Sequence, residues 1–157
     1  MCLKLQHYLP QQFDWDCAIA CYRMAHLALD IPTPTIAEAM KKLLPTPEQG
    51  TSTYMLELAC LELEKQFSSI EACSFENETL ATIERLIKEQ WIVIVCFKEP
   101  TSGEGHFAIV REVNKVELVV ADPELGFNHR IKREDFDWRT GFEDPVRQGW
   151  YAAVRRK

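Results

Sequence analysis

Cys17 follows the run Gln11-Gln12-Phe13-Asp14-Trp15-Asp16, and Ile19, Ala20, Met24, Leu27 and Leu29 come after it at helical spacing. An aspartate ahead of such a run is a good N-cap, so Asp16 is expected to open a helix with Cys17 in its first turn. The unpaired N–H groups and the positive dipole end found there favour thiolate, the form of cysteine that attacks a carbonyl carbon. Six residues upstream of Cys17, the Gln11 carboxamide can fold back toward an oxygen held beside the sulfur. Together with the Cys17 backbone N–H it would make an oxyanion hole. Gln12 is one position out of register for that part. Free cysteines are otherwise mostly small, inert core residues, and Cys21, one turn further on, is read that way.

A nucleophilic cysteine needs a base, and a histidine base needs a third group to fix its tautomer. His7 lies in an irregular segment ahead of Cys17, and His129 beyond a turn. His26 is nine residues along the same helix as Cys17, too far to share a proton. That leaves His106, which opens a strand directly after Gly103-Glu104-Gly105. Asp122 ends the following strand, and a tight turn at Asn114-Lys115 brings both residues to the same open end of a hairpin. Singly, a histidine beside a glycine loop and an Asp-Pro turn are ordinary loop chemistry. Their joint placement makes them a candidate pair for Cys17.

The elements that must hold these groups follow from periodicity. Helices are expected over 17–29, 35–44, 52–67 and 79–90, with a short strand over 69–73. Past Trp91 the period changes. The apolar, β-branched run 91–97 suits a strand buried on both faces, and strands over 106–113, 116–121, 129–131 and 149–154 follow, with a short helix over 133–138. Helices first and an antiparallel sheet after them give an α+β layout, in one domain over residues 1–157.

A net charge of −6 argues against nucleic acid as a partner and hints at a substrate of basic character. The one basic cluster, Arg155-Arg156-Lys157, is expected to be a solvated tail. No signal peptide or bilayer-length apolar run occurs, which makes the cytoplasm the simplest location. Cys2, Cys17, Cys21, Cys60, Cys73 and Cys96 lack zinc-site spacing and are expected to be reduced, so neither a metal nor a cofactor is expected. Trp15, Tyr54 and Trp138 are candidates for a side-chain pocket. Oligomeric state leaves no mark in the sequence.

Gln11…Cys17, then Gly105-His106-Phe107-Ala108-Ile109-Val110, then Ala121-Asp122-Pro123-x-x-Gly126, resemble the papain-like cysteine peptidases. The likeness is nearest to the bacteriocin-processing peptidases that cut after double-glycine leaders. Trp15-Asp16-Cys17-x-x-Ala20-Cys21-x-x-Met24 is also similar to a related group of proteins labelled guanylyl cyclases. The resemblance implies a papain-like fold with Cys17 as nucleophile, His106 as general base and acid, Asp122 as orienting group and Gln11 as oxyanion donor. It also implies a peptide or protein substrate, cleaved at a peptide or isopeptide bond through a thioester. The family usually has glycine after the cysteine; Ala18 adds a methyl there and narrows what fits. No transporter segment follows, which weakens the link to leader removal during export. The same three groups would serve an acyltransferase or a deamidase, and the fold without chemistry would serve a peptide-binding module. A nucleotide cyclase is the poorest alternative, for want of a glycine-rich phosphate loop and a carboxylate pair spaced for two metals.

Overall fold

The computed structural model describes residues 5–141 and 143–157, so Cys2 lies outside the described residues. In chain order the elements are α1 (Cys17–Leu29), α2 (Ile36–Leu43), α3 (Thr53–Gln66), β1 (Ile70–Phe75), α4 (Leu80–Lys88), β2 (Ile92–Lys98), β3 (Gly105–Val113), β4 (Glu117–Asp122), β5 (Gly126–Lys132) and β6 (Tyr151–Arg156). The strands form one sheet in the order β1-β6-β2-β3-β4-β5, antiparallel at each pairing. This is the expected α+β arrangement.

β2 lies near the middle because it has no polar face to offer: its residues from Ile92 to Phe97 are all buried. α1 is similarly enclosed, with ten of its thirteen residues buried, so it serves as a central helix and not as an amphipathic surface one. It packs on β2, β3 and β6 and against α2 and α3. α2 begins at a capping box, in which the Glu38 N–H donates to Thr35 Oγ1 (3.1 Å) and the Thr35 N–H to Glu38 Oε2 (2.8 Å).

Both ends of α1 are fixed. Asp30 turns left-handed at φ 52° and its N–H closes on the carbonyls of His26 and Leu27. Arg156 completes the cap, with Nε donating to the Leu29 carbonyl (2.7 Å) and Nη2 to that of Asp30 (2.9 Å). The expected solvated tail at 155–157 is therefore corrected: Arg155 and Arg156 belong to β6, and Arg155 pairs with Glu71 of β1 at 2.9 Å. Alternation along an extended strand sends the two arginines to opposite faces, where each finds an acceptor. Replacing Arg156 by alanine is expected to lower unfolding stability by about 1 kcal/mol, measured by urea denaturation. An unchanged midpoint would mean that the cap contributes nothing.

Several boundaries differ from the sequence reading. The strand expected at 129–131 extends over Gly126–Lys132. The helix expected at 133–138 is a single 3-10 turn, Arg133–Asp135, because Phe136 is drawn in to pack with Phe97 and Trp138 packs on Phe136. The closing strand starts at Tyr151 and not at 149, since Gly149 takes φ +60° and breaks the extended run. The five described cysteines are unpaired. Among the described residues no helix is long and apolar enough to cross a membrane.

Candidate active site

Cys17 is the first residue of α1 and is 6% exposed. As the opening residue it lies in the turn whose N–H groups find no carbonyl within the helix. Asp16 holds the N-cap position, yet it does not cap: its φ and ψ are −107° and 21°, and its side chain bonds no helical N–H. The preceding turn curls back on itself, so the Asp16 carboxylate sits under its own upstream backbone. It accepts the N–H of Gln12 (3.1 Å) and of Phe13 (3.0 Å). A capping aspartate and a backward-facing one share the same local sequence pattern, and the structure selects the second. The consequence is that the Gln11–Asp16 turn is clamped to the start of α1.

That turn is laced to the Asp122 corner as well. The Gln11 backbone N–H donates to the Pro123 carbonyl at 2.9 Å, and the Tyr8 hydroxyl donates to the Asp122 carbonyl at 2.7 Å. The Gln11 side chain gives one Nε2–H to the Phe13 carbonyl at 2.9 Å, while its Oε1 is buried without a partner. Tyr8 carried no signal in the sequence, because its partner is a carbonyl 114 residues away.

His106 and Asp122 meet across the β3–β4 pairing. Ile109 lies opposite Ala121, so the next position puts Asp122 opposite Ala108, on the same pleat face as His106 and diagonal to it. His106 Nε2 stands 2.7 Å from Asp122 Oδ1, with both side chains almost fully buried. The same oxygen accepts the N–H of Glu124 (2.8 Å) and of Leu125 (3.1 Å), which fixes the carboxylate in the Asp-Pro turn. With Nε2 engaged, Nδ1 is the ring nitrogen left free, and Cys17 is near enough to act on the charge of the ring. Helix start and hairpin end, almost ninety residues apart in sequence, thus converge.

Electrostatics follow from that geometry. Burial works against charge on His106, but hydrogen bonds to Asp122 and Cys17, with the charges of both, outweigh it and raise the imidazole to about 10. Burial also opposes ionisation of Asp122. The bond to His106, the imidazolium charge and the N–H groups of Glu124 and Leu125 prevail and hold the carboxyl below its ordinary value. The neighbouring thiols behave differently: burial pushes Cys21 and Cys96 well up, with Cys17 adding to both.

A cleft of about 370 Å³ opens beside Cys17, bounded by Trp15, Gly50, Thr51, Cys96, Gly105 and Thr140 among others. One wall depends on Gly50, at φ +67°, where a Cβ would come within 3.1 Å of the Trp15 carbonyl oxygen. Of the three aromatic candidates only Trp15 lines the cleft. Tyr54 lies under the Arg147 guanidinium, and Trp138 donates its indole N–H to the Trp150 carbonyl within the core packing. Ala18 is fully buried in the core and does not line the cleft, so its methyl does not narrow the opening as expected. Cys96, expected as core, is both buried and a cleft residue, because it sits on β2 behind Gly105.

Comparison with solved structures places the fold. A putative C39-like peptidase from Bacillus anthracis matches with a TM-score of 0.72 at 11% identity, covering 99% of this chain and 98% of that one. The peptidase domain of Streptococcus ComA, a bi-functional ABC transporter involved in quorum sensing, matches at 0.66 and 19%, covering 96% of this chain and all of that domain. A double glycine motif protease from an AMS/PCAT transporter, solved with its leader peptide, matches at 0.62 and 14%, covering 96% and 91%. No curated protein matches the sequence. The model of the peptidase C39 family matches residues 6–139, a span that takes in Gln11, Cys17, His106 and Asp122. That match covers most of the chain: it belongs to the peptidase C39 family and is a cysteine-type peptidase.

Proposed function

We propose that Cys17, His106 and Asp122 form the catalytic triad of this peptidase, with Gln11 and the Cys17 backbone N–H as oxyanion donors, in a single domain over residues 1–157. The observation that carries this reading is the 2.7 Å contact between Asp122 Oδ1 and His106 Nε2, which leaves Nδ1 free, with Cys17 close enough to raise the imidazole and itself lining the cleft. Cys17 Sγ, its proton held on His106 Nδ1, attacks the carbonyl carbon of a peptide or isopeptide bond. The resulting oxyanion is met by the Cys17 N–H and by the Gln11 Nε2–H that Phe13 leaves free. Collapse breaks the C–N bond, and the leaving amine takes the His106 proton, so that a thioester remains on Cys17. Water then attacks the thioester while His106 accepts its proton; Sγ departs, and the carboxylic acid product is released. Asp122 holds the ring tautomer and stabilises the imidazolium.

The substrate on this reading is a peptide or protein chain, and the leader peptide bound to the AMS/PCAT protease supports it by analogy of fold. A reducing compartment such as the cytoplasm suits the five free thiols among the described residues. Burial raises Cys21, Cys73 and Cys96, and takes Cys60 up to about 12, so among the described cysteines Cys17 is the one set apart, beside an imidazole. An alkylating probe such as iodoacetamide at pH 6 is therefore expected to modify Cys17 alone, read by peptide mass mapping. Modification of any other cysteine in preference to Cys17 would overturn the assignment.

A further inference from the structure

The acidic balance of the chain is focused at the cleft. Asp14, Glu48, Glu104 and Glu143 all line it, and no lysine or arginine does. Asp14, Glu48 and Glu104 are exposed at its rim, and among the described residues no cation pairs with any of them. Glu143 lies deeper; its carboxylate accepts the N–H and the hydroxyl of Thr53 at 2.6 and 2.5 Å. The nearest guanidinium, that of Arg147, reaches Thr53 Oγ1 from behind, but it is neutralised by Glu57 and Glu76 and does not line the cleft.

A second observation is independent of charge. Thr51, in the same lining, is 5% exposed, and its hydroxyl oxygen is buried with no hydrogen-bond partner. A buried hydroxyl left unpaired carries a desolvation cost that a polar ligand group in the cleft would relieve. Four like charges converging on one opening lose repulsion when a cation enters, and the low-dielectric walls strengthen that attraction. Acidic rims act on rates as well, by steering a cationic ligand to the mouth.

We infer that this cleft selects peptides carrying a lysine or arginine side chain close to the bond that is cut. The inference rests on the peptidase reading above and adds its specificity. The rim carboxylates pair with the ammonium or guanidinium, and the unpaired Thr51 hydroxyl serves the bound chain as a polar contact. A backbone carrying no cation lacks the first of these and is bound more weakly.

The test uses internally quenched peptides scanned at each position on both sides of the scissile bond, with arginine compared against its neutral isostere citrulline. The wild-type chain is expected to show a kcat/KM about tenfold higher for arginine at one or more positions, the size of a partly exposed multi-carboxylate contact. That ratio is expected to shrink as salt is raised and to approach unity in the double variant Glu48→Gln/Glu104→Gln, whose melting temperature reports that the fold persists. Cys17→Ala protein, which binds without cutting, is titrated with the same fluorescent peptides. Cleavage of arginine and citrulline peptides at equal rates overturns the specificity and leaves the peptidase reading standing. Charge-selective binding to Cys17→Ala with no cleavage by the wild-type chain overturns the peptidase reading and leaves the cationic site standing. Neither cleavage nor charge-selective binding overturns both.

Discussion

Cys17→Ala is expected to lower kcat on a cleavable peptide by about 10⁴-fold or more, because no other group in the cleft replaces the bond that Sγ forms. The fold should survive the change. Cys17 is small, and its surroundings in α1 are fixed by Ala18, Ile19, Cys21 and Met24, all buried, so the loss of one sulfur atom costs about 1 kcal/mol. Turnover measured alongside far-UV circular dichroism separates the two effects. A variant that keeps its spectrum and retains activity within tenfold of wild type would place the nucleophile elsewhere. A further signature accompanies the loss: with no sulfur to attack, no thioester accumulates, so a substrate ester that acylates the wild-type chain leaves the mass of the variant unchanged.

Asp122→Asn carries the second large effect, on the order of 10⁴-fold in kcat, by analogy with the cost of removing the carboxylate charge from a histidine-orienting group. The asparagine oxygen can still accept the N–H groups of Glu124 and Leu125, so the turn is preserved and the change isolates the charge on His106. In the wild-type chain His106 is raised to about 10, above its ordinary 6.5. A raised folded-state value contributes stability that is full below about pH 6.5, declines as pH rises, and is gone above about 10. The lowered Asp122 works at the other end: its contribution is present above the ordinary carboxyl value of 3.8 and is lost as pH falls through its folded value. Wild-type stability is therefore expected to fall off on both sides. In Asp122→Asn the alkaline decline should still begin near pH 6.5, which the unfolded chain sets, but finish about one to three units lower, because the opposite charge is gone. Urea titrations between pH 3 and 11 measure this. Coincident curves for the two proteins would mean that the His106–Asp122 pair does not set the histidine's charge.

Much of this site was legible in the sequence, for a physical reason that differs from residue to residue. His106 and Asp122 could be brought to one end in advance because a hairpin is a local construction, but the turn lies one residue further on, at Lys115-Val116, and a bulge at Arg111 that periodicity does not show puts the two on one face. Cys17 could be placed in a first helical turn from apolar spacing alone. Its meeting with His106 depends on how α1 seats on β3, a contact that periodicity does not encode, and motif resemblance supplied it. The cleft was not legible at all, since its walls come from five separate stretches, around Trp15, Gly50, Cys96, Gly105 and Thr140. Asp16 and Arg156 were misjudged for a common reason: a charged side chain near a helix end or a terminus has several acceptors or donors to choose from, and only the tertiary fold decides among them.

β6 is inserted between β1 and β2, and its Arg156 holds the far end of the helix that carries Cys17. Without β6, β1 would have no strand partner beside the four strands β2–β5, and the end of α1 would lose its Arg156 cap. Completing the sheet and securing that helix are thus tied to one and the same strand.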